Sequence, residues 1–173
     1  MILDFGCGHN KRRGSIGVDG NKNSSADIIH NLNLFPYPFK TQSVKEIYIT
    51  DTFFLLDNPI LVMAEFNRIL RKSGKLVITN PYFRSNFAFI DPFTKTFYTV
   101  HSFDFYDPTK QSYRNYKYTS LNFTITSIKF NVNLKNSILV RFIVFFANKN
   151  PYFYEKISHL FPLARITYYL VKN

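Results

Sequence analysis

A chain of 173 residues with 46% hydrophobic and 18% aromatic side chains can bury a sizeable core, which argues against disorder and for one domain over residues 1–173. The formal charge of +11 admits nucleic acid, an anionic membrane surface or an acidic substrate as partner; the densest basic cluster is only Lys11-Arg12-Arg13, so scattered surface charge is the simpler reading. Cys7 is the single cysteine and excludes an internal disulfide; with no apolar leader before Asp4 and no apolar run long enough to span a bilayer, the expected setting is the cytoplasm.

Short apolar segments at 1–5, 15–18, 27–30, 44–50 and 75–79 read as strands. Before the last of them, 58–71 places Leu61, Val62, Glu65, Phe66, Ile69 and Leu70 at helical spacing, with Pro59 in the first turn and Ser73-Gly74 as the stop. Strand, helix and strand in succession predict a parallel pair with a right-handed crossover. The first two strands are separated by so few residues that their connection has room for one helical turn at most. Residues 81–119, rich in Tyr, Phe, Asp and Pro without a sustained period, predict a long covering loop with short helical turns. A strand at 121–130, helices at 136–149 and 152–160, and a closing strand at 164–171 complete the chain. The fold class is α/β, a mostly parallel sheet with an antiparallel edge.

The segment "ILDFGCGHNKRRGSIGVD" carries the most chemistry. Gly6 and Gly8 sit at the carboxyl end of the first strand, where bare backbone can turn sharply and approach a ligand. Asp19 ends the second strand, where a carboxylate can accept from both hydroxyls of a ribose. Neither GxGxxG nor GxxxxGK[ST] is present. Asp4, directly before the turn, would repel a pyrophosphate and suits a ligand carrying an ammonium and a sulfonium.

"LDFGCG" followed by "IGVD" resembles the glycine-rich motif and second-strand acid of class I S-adenosylmethionine-dependent methyltransferases. "ADIIHNLNLFPYPF", "SVKEIYITD" and "VMAEFNRILRKSGKLVITNPYF" are similar, in order, to that family's third strand, fourth strand, and following helix with fifth strand. "FIDPFTKTFYTVHSF" and "YEKISHLFPLARITYYLVK" resemble segments of a small-molecule subset. The resemblance implies a Rossmann-like methyltransferase sheet with the N-terminal helix missing, and S-adenosylmethionine as cofactor. It places Asp4, Gly6, Cys7 and Gly8 around the methionine portion, Asp19 on the ribose, and Gly20, Asn31 and Leu32 beside the adenine. Thr50 and Asp51 would face the reacting methyl, and Lys11 is a candidate for the cofactor carboxylate. The chain departs from the subset where Asp51 stands in place of a histidine, and where "TFFLLD" replaces a glutamate–histidine pair.

For an acceptor that must lose a proton, His101, Asp91 and Asp51 are the candidate bases, with Asp104 nearby and Tyr82 and Tyr106 as orienting groups. Asp91-Pro92 equally reads as a turn opener, and a lone histidine as a packed or solvated one. No Cys/His cluster has metal spacing, so no metal is expected. The expected acceptor is a small molecule, a glycan or a lipid-linked sugar. The alternatives are a degenerate binding protein of the same fold, and an RNA methyltransferase; nucleic acid is conceivable from the aromatic and basic residues of 82–118 but not favoured. Segment 136–149, apolar with Arg141, has three readings: a peripheral membrane contact, a dimer contact and packing on the sheet, of which packing is favoured.

Overall fold

The computed structural model describes residues 1–131 and 137–173. In chain order the elements are β1 (Ile2–Phe5), β2 (Ile16–Asp19), β3 (Ile28–Ile29), β4 (Val44–Thr50), α1 (Pro59–Ile69), β5 (Leu70–Pro81), α2 (Phe87–Ile90), α3 (Gln111–Tyr116), β6 (Phe123–Phe130), α4 (Ile138–Lys149), α5 (Pro151–Ile157) and β7 (Arg165–Lys172). The strands form one seven-stranded sheet in the order β3-β2-β1-β4-β5-β7-β6. Pairs from β3 through β5 are parallel, and β7 runs antiparallel to both β5 and β6. The expected sheet with its antiparallel edge is therefore the one that forms.

Alternation along the strands sorts the two faces. Leu3, Phe5, Ile47, Ile49, Leu76 and Ile78 are wholly buried in the core with Val62, Met63 and Phe66 of α1. The aromatic segment after β5 adds Tyr98, Val100, Phe103 and Tyr106 to the same core, so the long loop is a lid over the sheet, as its composition predicts. Lys75 and Lys129 stand exposed, and Glu46, Tyr48, Val77 and Tyr169 half-buried, at the alternate positions. Parallel strands are normally apolar on both faces because helices cover both. Here the connection between β1 and β2 contains only turns, and it lies across one end of the polar face: Arg12 stacks 3.7 Å above the Tyr48 ring.

α1 begins as the sequence predicts, with the Asn58 side chain accepting from Leu61 N–H and Pro59 in the first turn. Its end differs. β5 starts at Leu70, directly after the helix, because Leu70 pairs with Val44 before an irregularity restores the register at Lys75. Glu65 and Arg68 on this helix fasten the 37–39 segment: Arg68 donates to the carbonyls of Tyr37 and Phe39, while Glu65 accepts from Tyr37 N–H at 2.7 Å. β3 is only two residues long, shorter than the 27–30 expected.

The helix expected over 136–149 is found as α4 from Ile138, with Ser137 accepting from Val140 N–H; Asn136 lies outside the described residues. The expected packing on the sheet is made through one face alone, with Val144 and Ala147 in the core and Val140 and Ile143 partly buried against it. Only Val144 and Ala147 of α4 are buried, while Ile138, Leu139, Phe142, Phe145 and Phe146 are each more than half exposed.

Candidate functional site

From β1 the chain builds β2 and β3 to one side, then returns to add β4 and β5 on the other. That reversal opens a crevice between the carboxyl ends of β1 and β4, the place where ligands settle in such sheets. A cavity of about 570 Å³ lies there, lined by Asp4 of β1 with Gly6 and Cys7 just after it, Asn10, Arg12 and Arg13 from the same turn, and Thr50 of β4 with Asp51 and Thr52 just after it.

The bend is held tightly. Gly6 has φ +65° and donates to Val18 O at 2.7 Å. A β-carbon there would fall 2.6 Å from Thr52 Cβ, and nearer still to the rest of that side chain. Thr52 Oγ1 also donates to Thr50 O at 3.1 Å, and it sits 3.3 Å from Gly6 O. Only glycine lets β1 and β4 approach this closely above the crevice. A side chain at Gly17 would strike Cys7 Sγ, so β2 is bare where Cys7 tucks against it.

Asp4 is 6% exposed, and its Oδ2 accepts from Arg12 N–H at 2.8 Å. Burial pushes its carboxyl above the usual range, while the Arg12 N–H and guanidinium pull the other way. Burial likewise pushes the Cys7 thiol up, helped by the charges of Asp19 and Asp4. The Asp19 carboxylate faces the bend: Oδ2 accepts from Gly8 N–H and Oδ1 from Asn21 N–H, both at 2.8 Å. An ionised carboxylate offers about four acceptor positions, so two remain for a ligand. Gly20 lies against the backbone of His30 and Asn31, which brings the two loops of the expected adenine side together. Asn31 Oδ1 accepts from Asn33 N–H, whereas Leu32 is buried and only its carbonyl meets Tyr37 OH. Gly8, Asp19, Gly20, Asn31 and Leu32 thus do not line this cavity.

Several residues stand elsewhere than expected. Lys11 is not at the cavity; its Nζ binds both oxygens of Asp27 at 2.8 and 2.9 Å, and Arg12 and Arg13 are the cations that line it. Asp51 does line it, in a left-handed conformation at φ +49°, and its carboxylate accepts from Arg165 Nε at 2.8 and 3.0 Å. A left-handed non-glycine residue costs of order 1–3 kcal/mol and is typical of functional sites. Here the Arg165 pair and the bond from Asp51 N–H to Thr79 O hold it. His101 does not line the cavity. Its Nδ1 lies 2.7 Å from Asp104 Oδ2, and its ring 5.0 Å from that of Tyr152, which borders a cavity along β6. Asp91 Oδ1 accepts from Phe93 N–H at 2.9 Å and closes its own turn.

Arg12, Arg13, Thr52 and Arg165 are absent from the sequence-derived site. The basic turn is visible as a cluster, but nothing local in the sequence tells which of its three cations faces the crevice. Arg165 reaches Asp51 across 114 positions of sequence.

No family profile matches the chain, and no curated protein matches it. Solved structures do. One is the complex of the Haloferax volcanii Trm112 methyltransferase activator with the putative methyltransferase, at 13% identity and TM-score 0.63, covering 99% of this chain and 81% of that one. A SAM-dependent methyltransferase from Archaeoglobus fulgidus matches at 19% identity and TM-score 0.61, over 99% and 85%. A third is geranyl diphosphate C-methyltransferase from Streptomyces coelicolor A3(2), solved with Mg2+, a geranyl ligand and S-adenosyl-L-homocysteine, at 15% identity and TM-score 0.58, over 99% and 69%. The chain has the fold of the class I S-adenosylmethionine-dependent methyltransferases.

Proposed function

We propose that this chain binds S-adenosylmethionine in the crevice between β1 and β4 and transfers its methyl group to a small-molecule, glycan or lipid-linked acceptor. The observation that carries the reading is the cavity at the strand-order reversal, where a glycine bend that tolerates no β-carbon meets a buried acid and two arginines. The residues fit the cofactor on two counts. Among the described residues Asp4 makes its hydrogen bond through Oδ2 alone, leaving Oδ1 for a ligand ammonium. Arg12 or Arg13 is placed for the matching carboxylate. An amino-acid end needs one group of each sign.

When bound, the cofactor supplies a methyl group made electrophilic by its sulfonium. Asp4 holds the ammonium, Asp19 accepts from the ribose hydroxyls, and Gly20 with Asn31 borders the base. Thr50 and Asp51 form the acceptor side. Methyl transfer is an in-line displacement, in which positioning the acceptor supplies much of the rate. Asp51 with Arg165 forms a charged pair at the cavity wall that can orient a polar acceptor.

Titration calorimetry with S-adenosylmethionine is the direct test. The folded protein binds, and Asp19→Ala weakens binding roughly tenfold or more, about 1.4 kcal/mol. Absence of heat from a folded sample at millimolar ligand sinks the proposal. The alternative of a binding protein without turnover draws support from the position of His101, which contacts Tyr152 and is not among the residues that line the cavity. A single turnover with any acceptor in a screen removes that alternative.

A further inference from the structure

The hairpin of α4 and α5 presents an apolar surface that no other segment covers among the described residues. Phe142, Phe146, Phe153 and Leu160 are each 58–63% exposed. A groove of about 570 Å³ runs between the two helices, walled by Leu139, Phe142, Phe146, Phe153, Ile157 and Phe161. Single exposed apolar residues are ordinary in globular proteins, but a contiguous aromatic face is not.

The charge on this face has one sign. Beyond Asp107 the chain contains a single acid, Glu155, against ten cations. Glu155 points inward, where its Oε2 accepts from Val100 N–H at 2.8 Å and lies 3.2 Å from Tyr82 OH. Arg141 stands beside the aromatic rings and Lys149 sits 4.8 Å above the Phe145 ring, while Lys156 is exposed on α5. Aromatic and aliphatic side chains flanked by Lys and Arg, with no outward carboxylate, form the pattern of a helix lying in a bilayer interface. No helix among the described residues is long and apolar enough to cross a membrane.

Location gives the face its use. β6 runs parallel to β5, so Phe130 ends at the same rim of the sheet as Thr50 and Asp51. Asn148 of α4 binds both the N–H and the carbonyl of Phe130, which fixes the hairpin to that rim. We infer that α4 and α5 dock this protein on an anionic lipid bilayer, with the aromatic face at the acyl boundary and Arg141, Lys149 and Lys156 among the headgroups. The inference stands apart from the cofactor reading, since docking needs no cofactor.

The test is co-sedimentation with vesicles of phosphatidylcholine alone and with added phosphatidylglycerol, without cofactor. Binding to the anionic vesicles is expected. It should weaken about fivefold for each cation neutralised in Arg141→Gln and Lys149→Gln. Phe142→Ser with Phe146→Ser should abolish it while circular dichroism stays unchanged, because both side chains face solvent. No association of folded protein with anionic vesicles at low salt overturns the inference. So does a dimer that the serine pair splits while vesicle binding is absent, because the face then belongs to a second copy. Calorimetry on the serine pair should still give the cofactor affinity of the parent, so failure of docking and failure of the cofactor site are read separately.

Discussion

Gly6→Ala tests the geometry on which the cavity depends. Two costs arise. A β-carbon at φ +65° meets the left-handed penalty, about 1–2 kcal/mol. It would also lie 2.6 Å from Thr52 Cβ, where ordinary carbon contacts are about 3.5–4.0 Å. Forcing such overlap into a packed region costs about 1–3 kcal/mol more. The expected loss is therefore about 2–5 kcal/mol. Gly8 supplies the control: its φ is +50°, yet nothing lies within 4 Å of an added β-carbon. Gly8→Ala should cost only the conformational part, about 1–2 kcal/mol. Urea unfolding followed by far-ultraviolet circular dichroism and tyrosine fluorescence measures both, the chain having 12 tyrosines and no tryptophan. A cycle with Thr52→Gly isolates the overlap as a coupling of about 1–3 kcal/mol. Equal losses for the two alanine variants, with no coupling to residue 52, would refute the close approach of β1 and β4.

Two further outcomes concern what frames the site. Glu65 accepts from Arg68 Nε and Nη2 at 2.7 Å, and that bond, with the Tyr37 N–H, holds its carboxyl below the usual value of 4.5 against the opposing effect of burial. A depressed carboxyl contributes stability that is present above the unfolded value and lost as pH falls through the folded one. Glu65→Gln should therefore cost about 1–3 kcal/mol near pH 7, and the gap to the parent should narrow below about pH 4.5; a gap of constant size from neutral to acid pH contradicts the assignment. Asn148→Ala removes two bonds to Phe130, at 2.6 and 3.1 Å, and should lower urea stability by about 2 kcal/mol; a loss under about 0.5 kcal/mol would mean that this side chain does not fasten α4 to the sheet.

What could be read from the sequence follows the range of the interactions. The bend, β2 with its terminal acid, and α1 with its Pro59 start are each set within a few residues, by φ, by alternation or by a cap, and each appears where predicted. The parallel pairing of β4 with β5 also follows, because a helix between two strands implies a right-handed crossover. The cavity wall is a different matter. Lys11, Arg12 and Arg13 are chemically alike in sequence, and only Asp27, sixteen residues on, decides that Lys11 turns away. Arg165 and Asp51 meet because β7 inserts between β5 and β6, a placement that no local pattern encodes.

One face of the sheet carries polar side chains where helices usually cover it. "KEIYIT" alternates as a half-exposed strand does, although it lies in the parallel part of an α/β sheet, where continuous apolar runs are the rule. The pattern and the short connections from β1 to β3 express one fact. With no helix between β1 and β2 or between β2 and β3, the outward positions of β4 and β5 must remain soluble by their own side chains, and Glu46, Tyr48 and Lys75 do so. The turn of 6–15 then has two duties that a helix would otherwise divide: it covers Asp4 and Tyr48 and also walls the cavity. Arg12 stacks on Tyr48, so its substitution should lower urea stability and calorimetric ligand affinity together, whereas substitution of Arg13, which lines the cavity without that stacking, should alter affinity alone.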